Sequence, residues 1–219
     1  MTTPTVVLLH GLGRTALAMK GLERFLNRQG YRVINQGYRS RQGNIAQLSE
    51  RLFAGLQSRL PATGPIDFVT HSLGGILLRY GLQHELLLSQ RLGRAVMLAP
   101  PSQGSELVDT LRQWPLLPRI MGPAFLELGT DTGSVPLALL QREQRALPLP
   151  LGIIAGRKSH EPWFAPLFDG DNDGKVAVTR ARHPAMTDFR VLDVGHTLIM
   201  NDRQVRQQIL HFLQCGYFR

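Results

Sequence analysis

Ile66-Asp67-Phe68-Val69-Thr70-His71-Ser72-Leu73-Gly74-Gly75-Ile76 decides how this chain folds. An apolar, β-type run leads into a serine flanked by histidine and small residues, and an amphipathic helical pattern begins immediately after it. That succession predicts a strand, a tight turn and a helix, with the Ser72 hydroxyl pushed out at the carboxyl end of a parallel strand and facing a helix N-terminus. Thr70-His71-Ser72-Leu73-Gly74 fits G-x-S-x-G except at its first position, where threonine replaces glycine. Small residues are wanted there because the turn brings backbone and helix close together. The plain alternative is a serine that only caps the following helix.

Working outward, apolar runs alternate with helical patterns on both sides of this stretch. Strands are expected at Thr5–His10, Tyr31–Gln36, Ile66–Thr70, Ala95–Ala99, Leu151–Ala155 and Phe189–Val194. Helices are expected over Thr15–Arg28, with Leu17, Leu22, Phe25 and Leu26 on one face, over Ile45–Leu60, over Leu73 to about Leu88 and over Arg203–Leu213. Gly30 and Pro61 are read as stops for the first two. Alternation of this kind implies parallel pairing through right-handed crossovers, an α/β fold of about six mostly parallel strands with helices on both faces. Residues 1–219 form one expected domain. Residues 102–150, interrupted by Pro115, Pro118, Pro123 and Pro136, form an irregular helical insertion after the fourth strand.

Composition narrows the class. Hydrophobic residues make up 43% and charged residues 19%, which argues against extensive disorder. No stretch approaches the ~20 apolar residues of a membrane helix. Cys215 is the only cysteine, so no intrachain disulfide can form, and Val6–Leu9 is a first strand rather than a secretory leader. A cytoplasmic setting is the resulting expectation. The net charge of +9 and isoelectric point near 10.7 come from scattered arginines and only three lysines, Lys20, Lys158 and Lys175. Without a basic block, solvated helix faces explain the charge and no nucleic-acid partner is expected; peripheral contact with an anionic membrane stays open.

A nucleophilic serine requires a base and the base an orienting carboxylate, in the chain order Ser, acid, His for a turn of this kind. His196 follows the last expected strand and precedes the last helix, where the base belongs. The acid is sought after the fifth strand, in Asp169-Gly170-Asp171-Asn172-Asp173-Gly174-Lys175-Val176. Asp173 is the first choice, because Asn-Asp-Gly before an apolar run suits a turn that presents the carboxylate. Asp171 is the reserve, ahead of Asp169, Asp188 and Asp193. The same loop begins like an EF-hand calcium site, but Arg180 stands where the closing glutamate would be, and no metal is expected.

Gly11-Leu12-Gly13-Arg14-Thr15-Ala16 has two readings. As G-x-G-x-x-A between strand and helix it has the form of a dinucleotide loop, with Arg39 and Arg41 placed to take a 2′-phosphate, which would make the chain an NADP-binding reductase. That reading leaves Ser72, Asp173 and His196 without a role. As His10-Gly11-Leu12-Gly13 it supplies half of an oxyanion hole, the Leu12 amide acting with that of Leu73, and no cofactor is required.

Taken together and in this order, HGLG, THSLGG, NDGKVAV and GHT resemble the α/β-hydrolase superfamily, in particular its small bacterial lipase-like esterases, over nearly the whole chain. Leu98-Ala99-Pro100-Pro101-Ser102-Gln103-Gly104-Ser105-Glu106 is similar to the segment after the corresponding strand of lipase-like members. The resemblance implies a minimal version of that fold and a serine esterase acting on a small-molecule or lipid-like ester, with Ser72 as nucleophile, Asp173 as acid, His196 as base and the Leu12 and Leu73 amides as oxyanion donors. Trp114, Leu117, Met121 and Phe125 in the insertion are candidates for an acyl pocket or small lid. Arg14 and Arg79 are candidates for contact with an anionic substrate, Arg79 having the alternative of bracing the insertion. A hydrolase-fold binding protein without catalysis is the remaining alternative.

Overall fold

The computed structural model describes residues 3–87, 91–142 and 147–219. Six strands, β1 (Thr5–Leu9), β2 (Arg32–Gln36), β3 (Ile66–His71), β4 (Leu92–Leu98), β5 (Leu151–Gly156) and β6 (Asp188–Leu192), form one sheet in the order β2-β1-β3-β4-β5-β6. Every pairing is parallel. The sheet explains why the central strands β1, β3 and β5 are buried along their whole length, since both faces are covered, while the edge strands β2 and β6 are only partly buried. Val6, Leu8, Val69, Val96, Leu98 and Ile154 pack in a core with α1 (Lys20–Arg28) and α9 (Arg203–Cys215). Their alternates Val7, Leu9, Phe68, Met97 and Ile153 pack in a second core with α2 (Ile45–Gln57) and α3 (Leu73–Gln83).

Local signals set the helix ends. Asn44 and Gln47 form a reciprocal capping box at the start of α2, and the Asp202 side chain accepts from the Val205 amide at the start of α9. After α1, Gly30 takes a positive φ of 87° while its amide reaches the Asn27 carbonyl and that of Tyr31 the Leu26 carbonyl, the double bond pattern of a glycine stop. The helix expected over Thr15–Arg28 is in two pieces. Thr15 is extended and Ala16–Met19 is a 3-10 turn, so α1 begins only at Lys20. Three residues per turn shift the buried stripe, and Met19 enters the core while Leu17 is 80% exposed. Helix α3 stops at Gln83; the expected end near Leu88 lies outside the described residues.

Between Ser102 and Pro150 run α4 (Glu106–Leu111), α5 (Leu117–Met121), α6 (Pro123–Leu126) and α7 (Val135–Arg142), with residues 143–146 outside the described set. Arg79 on α3 is fully buried beneath this segment, donating to the carbonyls of Ser102 at 2.9 Å and Pro136 at 3.1 Å. It braces the insertion. The segment is also tied to the stretch after β5, which ends in the short helix α8 (Val178–Ala181), by the Arg180–Glu106 ion pair at 2.7 Å and a 2.7 Å bond from the Ser105 hydroxyl to the Lys175 carbonyl. Among the described residues, no helix is long and apolar enough to cross a membrane.

Candidate active site

Strand β3 lies between β1 and β4, so its carboxyl end meets the loops that leave both neighbours. Ser72 occupies the turn into α3 with φ 51° and ψ −121°, a region that side chains seldom adopt, and its amide donates to the Leu98 carbonyl at 2.9 Å. The glycines around it are required by contact. A Cβ on Gly74 would stand 2.8 Å from the Leu9 and His10 carbonyl oxygens, and one on Gly11 would stand 3.2 Å from the Ser72 Cβ. Thr70 is accommodated in place of glycine because Gly75 lacks a Cβ, which would come within 3.2 Å of the Thr70 hydroxyl. That hydroxyl is buried with no hydrogen-bond partner among the described residues.

Gly74→Ala must therefore displace backbone rather than a flexible side-chain end. Overpacking of this kind costs about 1–3 kcal/mol, and the shifted carbonyls are those of the last residue of β1 and the first of the loop carrying Leu12. Gly74→Ala is expected to lower the melting temperature and to cost stability of that order; thermal and chemical denaturation beside the wild type check it.

Loop β1-to-α1 packs against the serine turn. His10 is held by its neighbours, stacking on Tyr38 at 4.1 Å, donating from Nδ1 to the Gly11 carbonyl and accepting the Tyr38 amide at Nε2. The Leu12 amide has no protein partner among the described residues, and the Leu73 amide is the first of α3, one of the four that a helix cannot satisfy internally. The G-x-G-x-x-A stretch meets no α-helix N-terminus, since the 3-10 turn intervenes, and Gly11 lies against His71 and Ser72.

Asp173, after β5, and His196, after β6, meet each other. Gly174, at φ 94°, allows the Asn-Asp-Gly turn, in which the Asp173 Oδ1 accepts the amides of Lys175 at 3.0 Å and Val176 at 2.8 Å. Its Oδ2 accepts Nδ1–H of His196 at 2.8 Å, and the His196 amide donates to the Asp173 carbonyl at 3.1 Å. Both side chains are buried. Other carboxylates are engaged elsewhere. Asp171 is exposed, Asp193 pairs with Arg157 at 2.5 Å, and Asp188 accepts the Phe189 and Phe218 amides.

His71 is a residue whose surroundings the sequence did not disclose. It is buried, donates from Nε2 to the His196 carbonyl at 3.0 Å and has no partner for Nδ1 among the described residues. Burial holds its pKa well below the ordinary imidazole range, and charge on His196 and Arg14 pushes the same way. Burial also lowers that of His10. Below about pH 6.5 the unfolded imidazoles take up protons that the folded ones refuse, so stability should be full above that pH and fall as the pH drops beneath it. Denaturant melts at pH 7.5 and 5.5 measure this, and His71→Gln should shrink the difference between them; an unchanged difference would refute the account.

Ser72 and His196 line one cavity of about 320 Å³. Its apolar wall comes from Leu107, Val108, Leu111, Met121, Phe125 and Leu128. Met121 and Phe125 were expected from the sequence, whereas Trp114 is 55% exposed and Leu117 packs against the core, and neither lines the cavity. The signal for the missed leucines and valine of α4 was the Leu107-Val108-Leu111 helical spacing shortly after Pro100-Pro101.

Sheet order, serine turn and the Asp173–His196 pair after successive strands define the α/β-hydrolase fold. The fold is also that of bacterial lipases and esterases. The Bacillus licheniformis lipase BlEst2 in its mature form superposes with a TM-score of 0.77 at 21% identity, covering 98% of this chain and 92% of that one. Its propeptide form gives 0.82 at 20% identity over 96% of this chain, which spans half the length of that form. A metagenomic carboxyl esterase gives 0.79 at 20% identity, covering 97% of this chain and 76% of its own. No protein-family model and no curated protein matches the sequence.

Proposed function

We propose that this protein is a serine hydrolase that cleaves carboxylic esters through Ser72, His196 and Asp173. One observation carries the reading: a serine held at positive φ in a strand-to-helix turn shares a cavity with a histidine whose Nδ1–H is bound by a buried carboxylate. Because Nδ1 carries the proton, the Nε2 lone pair of His196 is left to act as base. It takes the Ser72 proton as the hydroxyl oxygen attacks the ester carbonyl. The Leu12 and Leu73 amides stabilise the resulting alkoxide, one such donor contributing about 10²–10³ in rate. His196 then protonates the departing alcohol, and water attacks the acyl-enzyme through the same base. The Asp173 carboxylate holds the imidazole and offsets its charge.

The bacterial lipases and the carboxyl esterase of the same fold support ester hydrolysis as the chemistry. The apolar wall favours an acyl chain in the insertion and so a lipid-like ester, with residues 102–150 as the acyl-pocket element. A chain whose only cysteine is Cys215 loses no disulfide under reducing conditions, which supports a cytoplasmic setting. Labelling with a fluorophosphonate, peptide mapping to Ser72 and a panel of p-nitrophenyl esters test the reading together. Octanoate and decanoate should be cleaved with higher kcat/KM than acetate. Absence of labelling and of turnover would refute the assignment, and a preference for acetate would refute the acyl pocket.

A further inference from the structure

The cavity has a charged side that ester hydrolysis alone does not explain. Arg14 lines it beside His71, Ser72, His196 and Thr197. The guanidinium donates through Nη2 to the Thr197 carbonyl at 3.3 Å, and among the described residues it has no carboxylate partner. Several other arginines, Arg112, Arg157 and Arg180, are ion-paired. Lys175, the other cation on the cavity wall, is paired with Glu161 at 2.8 Å. Arg41 adds a second guanidinium to the same loop, its Nη2 lying 3.1 Å from where a Gly13 Cβ would be. A guanidinium has five N–H donors in a planar fork suited to an oxyacid, and most of those on Arg14 remain to be used.

Position decides which half of the substrate meets Arg14. Thr197 follows His196 directly, and in the proposed reaction His196 protonates the leaving alcohol. A group bound beside Thr197 is thus assigned to the alcohol side, and the apolar wall of the insertion to the acyl chain. We propose that Arg14 is a specificity-determining residue that binds an anionic oxyacid group, phosphate or carboxylate, on the alcohol portion of an acyl ester. The inference rests on the esterase reading of Ser72. Net charge of +9 works in the same direction by drawing anionic substrates toward the cavity.

Matched substrates test it. One pair is 1-octanoylglycerol and its 3-phosphate; the other is the octanoate ester of methyl 4-hydroxybenzoate and that of 4-hydroxybenzoate, assayed with the full chain and with Arg14→Gln and Arg14→Lys. A charge-assisted hydrogen bond predicts that Arg14→Gln lowers the anionic-to-neutral ratio of kcat/KM by about tenfold or more in at least one pair. Arg14→Lys should retain part of that ratio, and salt at about 0.5 M should reduce it in the wild type. The pair that responds identifies phosphate or carboxylate. A ratio unaltered by Arg14→Gln in both pairs would overturn the inference. If the wild type cleaves and labels normally in that case, the esterase reading stands without it; if it neither cleaves nor labels, both fall.

Discussion

Ser72→Ala should lose about 10⁴–10⁶-fold in kcat on any ester the wild type cleaves, and lose fluorophosphonate labelling altogether. Of the other hydroxyl residues on the cavity wall, Ser105 is engaged with the Lys175 carbonyl and Thr197 is not in the serine turn, so in the proposed mechanism neither replaces Ser72. Folding should be preserved. The turn is fixed by the Ser72 amide on the Leu98 carbonyl and the Gly75 amide on the Ser72 carbonyl, both independent of the side chain. Alanine retains the Cβ and so retains the strain at φ 51°. Ser72→Gly removes both hydroxyl and Cβ, and should match the alanine variant in inactivity while gaining roughly 1–3 kcal/mol of stability, the usual cost of a side chain in such a region. Melting curves of the two variants beside the wild type separate lost chemistry from lost structure. An alanine variant that turns over esters at the wild-type rate would refute the nucleophile.

Those features were legible because they are local. An apolar run, glycines where Leu9 and His10 carbonyls come close, and Asn-Asp-Gly before Val176 each leave a mark within a few residues. The strand order brings their loops together without further instruction from the sequence. What stayed illegible depends on contacts between distant segments. Leu17 has the spacing of a core residue, yet a 3-10 turn rotates it outward and Met19 is buried instead. Leu117 and Leu107 are equally apolar, but packing between α4 and the cavity decides that Leu107 lines it and Leu117 does not. Arg79 had two readings in the sequence, contact with an anionic substrate or bracing of the insertion, and its burial against the carbonyls of Ser102 and Pro136 selects the second. Thr70 departs from the motif at one position and is accommodated by a missing Cβ five residues later.

Asp173→Asn should lower kcat by about 10⁴-fold with little change in KM, whereas Asp171→Asn should stay within about twofold of wild type. Both substitutions remove one negative charge from the same loop, so a general electrostatic contribution would affect them alike. Geometry distinguishes them. In Asp173 one oxygen, Oδ1, accepts two backbone amides, which an asparagine can satisfy only with its carbonyl oxygen. The amide nitrogen is then directed at His196 in place of Oδ2, where it can only donate. The imidazole must accept at Nδ1 and carry its proton on Nε2, which removes the lone pair that Ser72 requires. The substitution thus reverses the tautomer while keeping the turn, and the Asp173 carbonyl still receives the His196 amide. Stability should change far less than activity. An inactive Asp171→Asn beside an active Asp173→Asn would transfer the role to Asp171, and equal losses would leave only the charge of the loop as the cause.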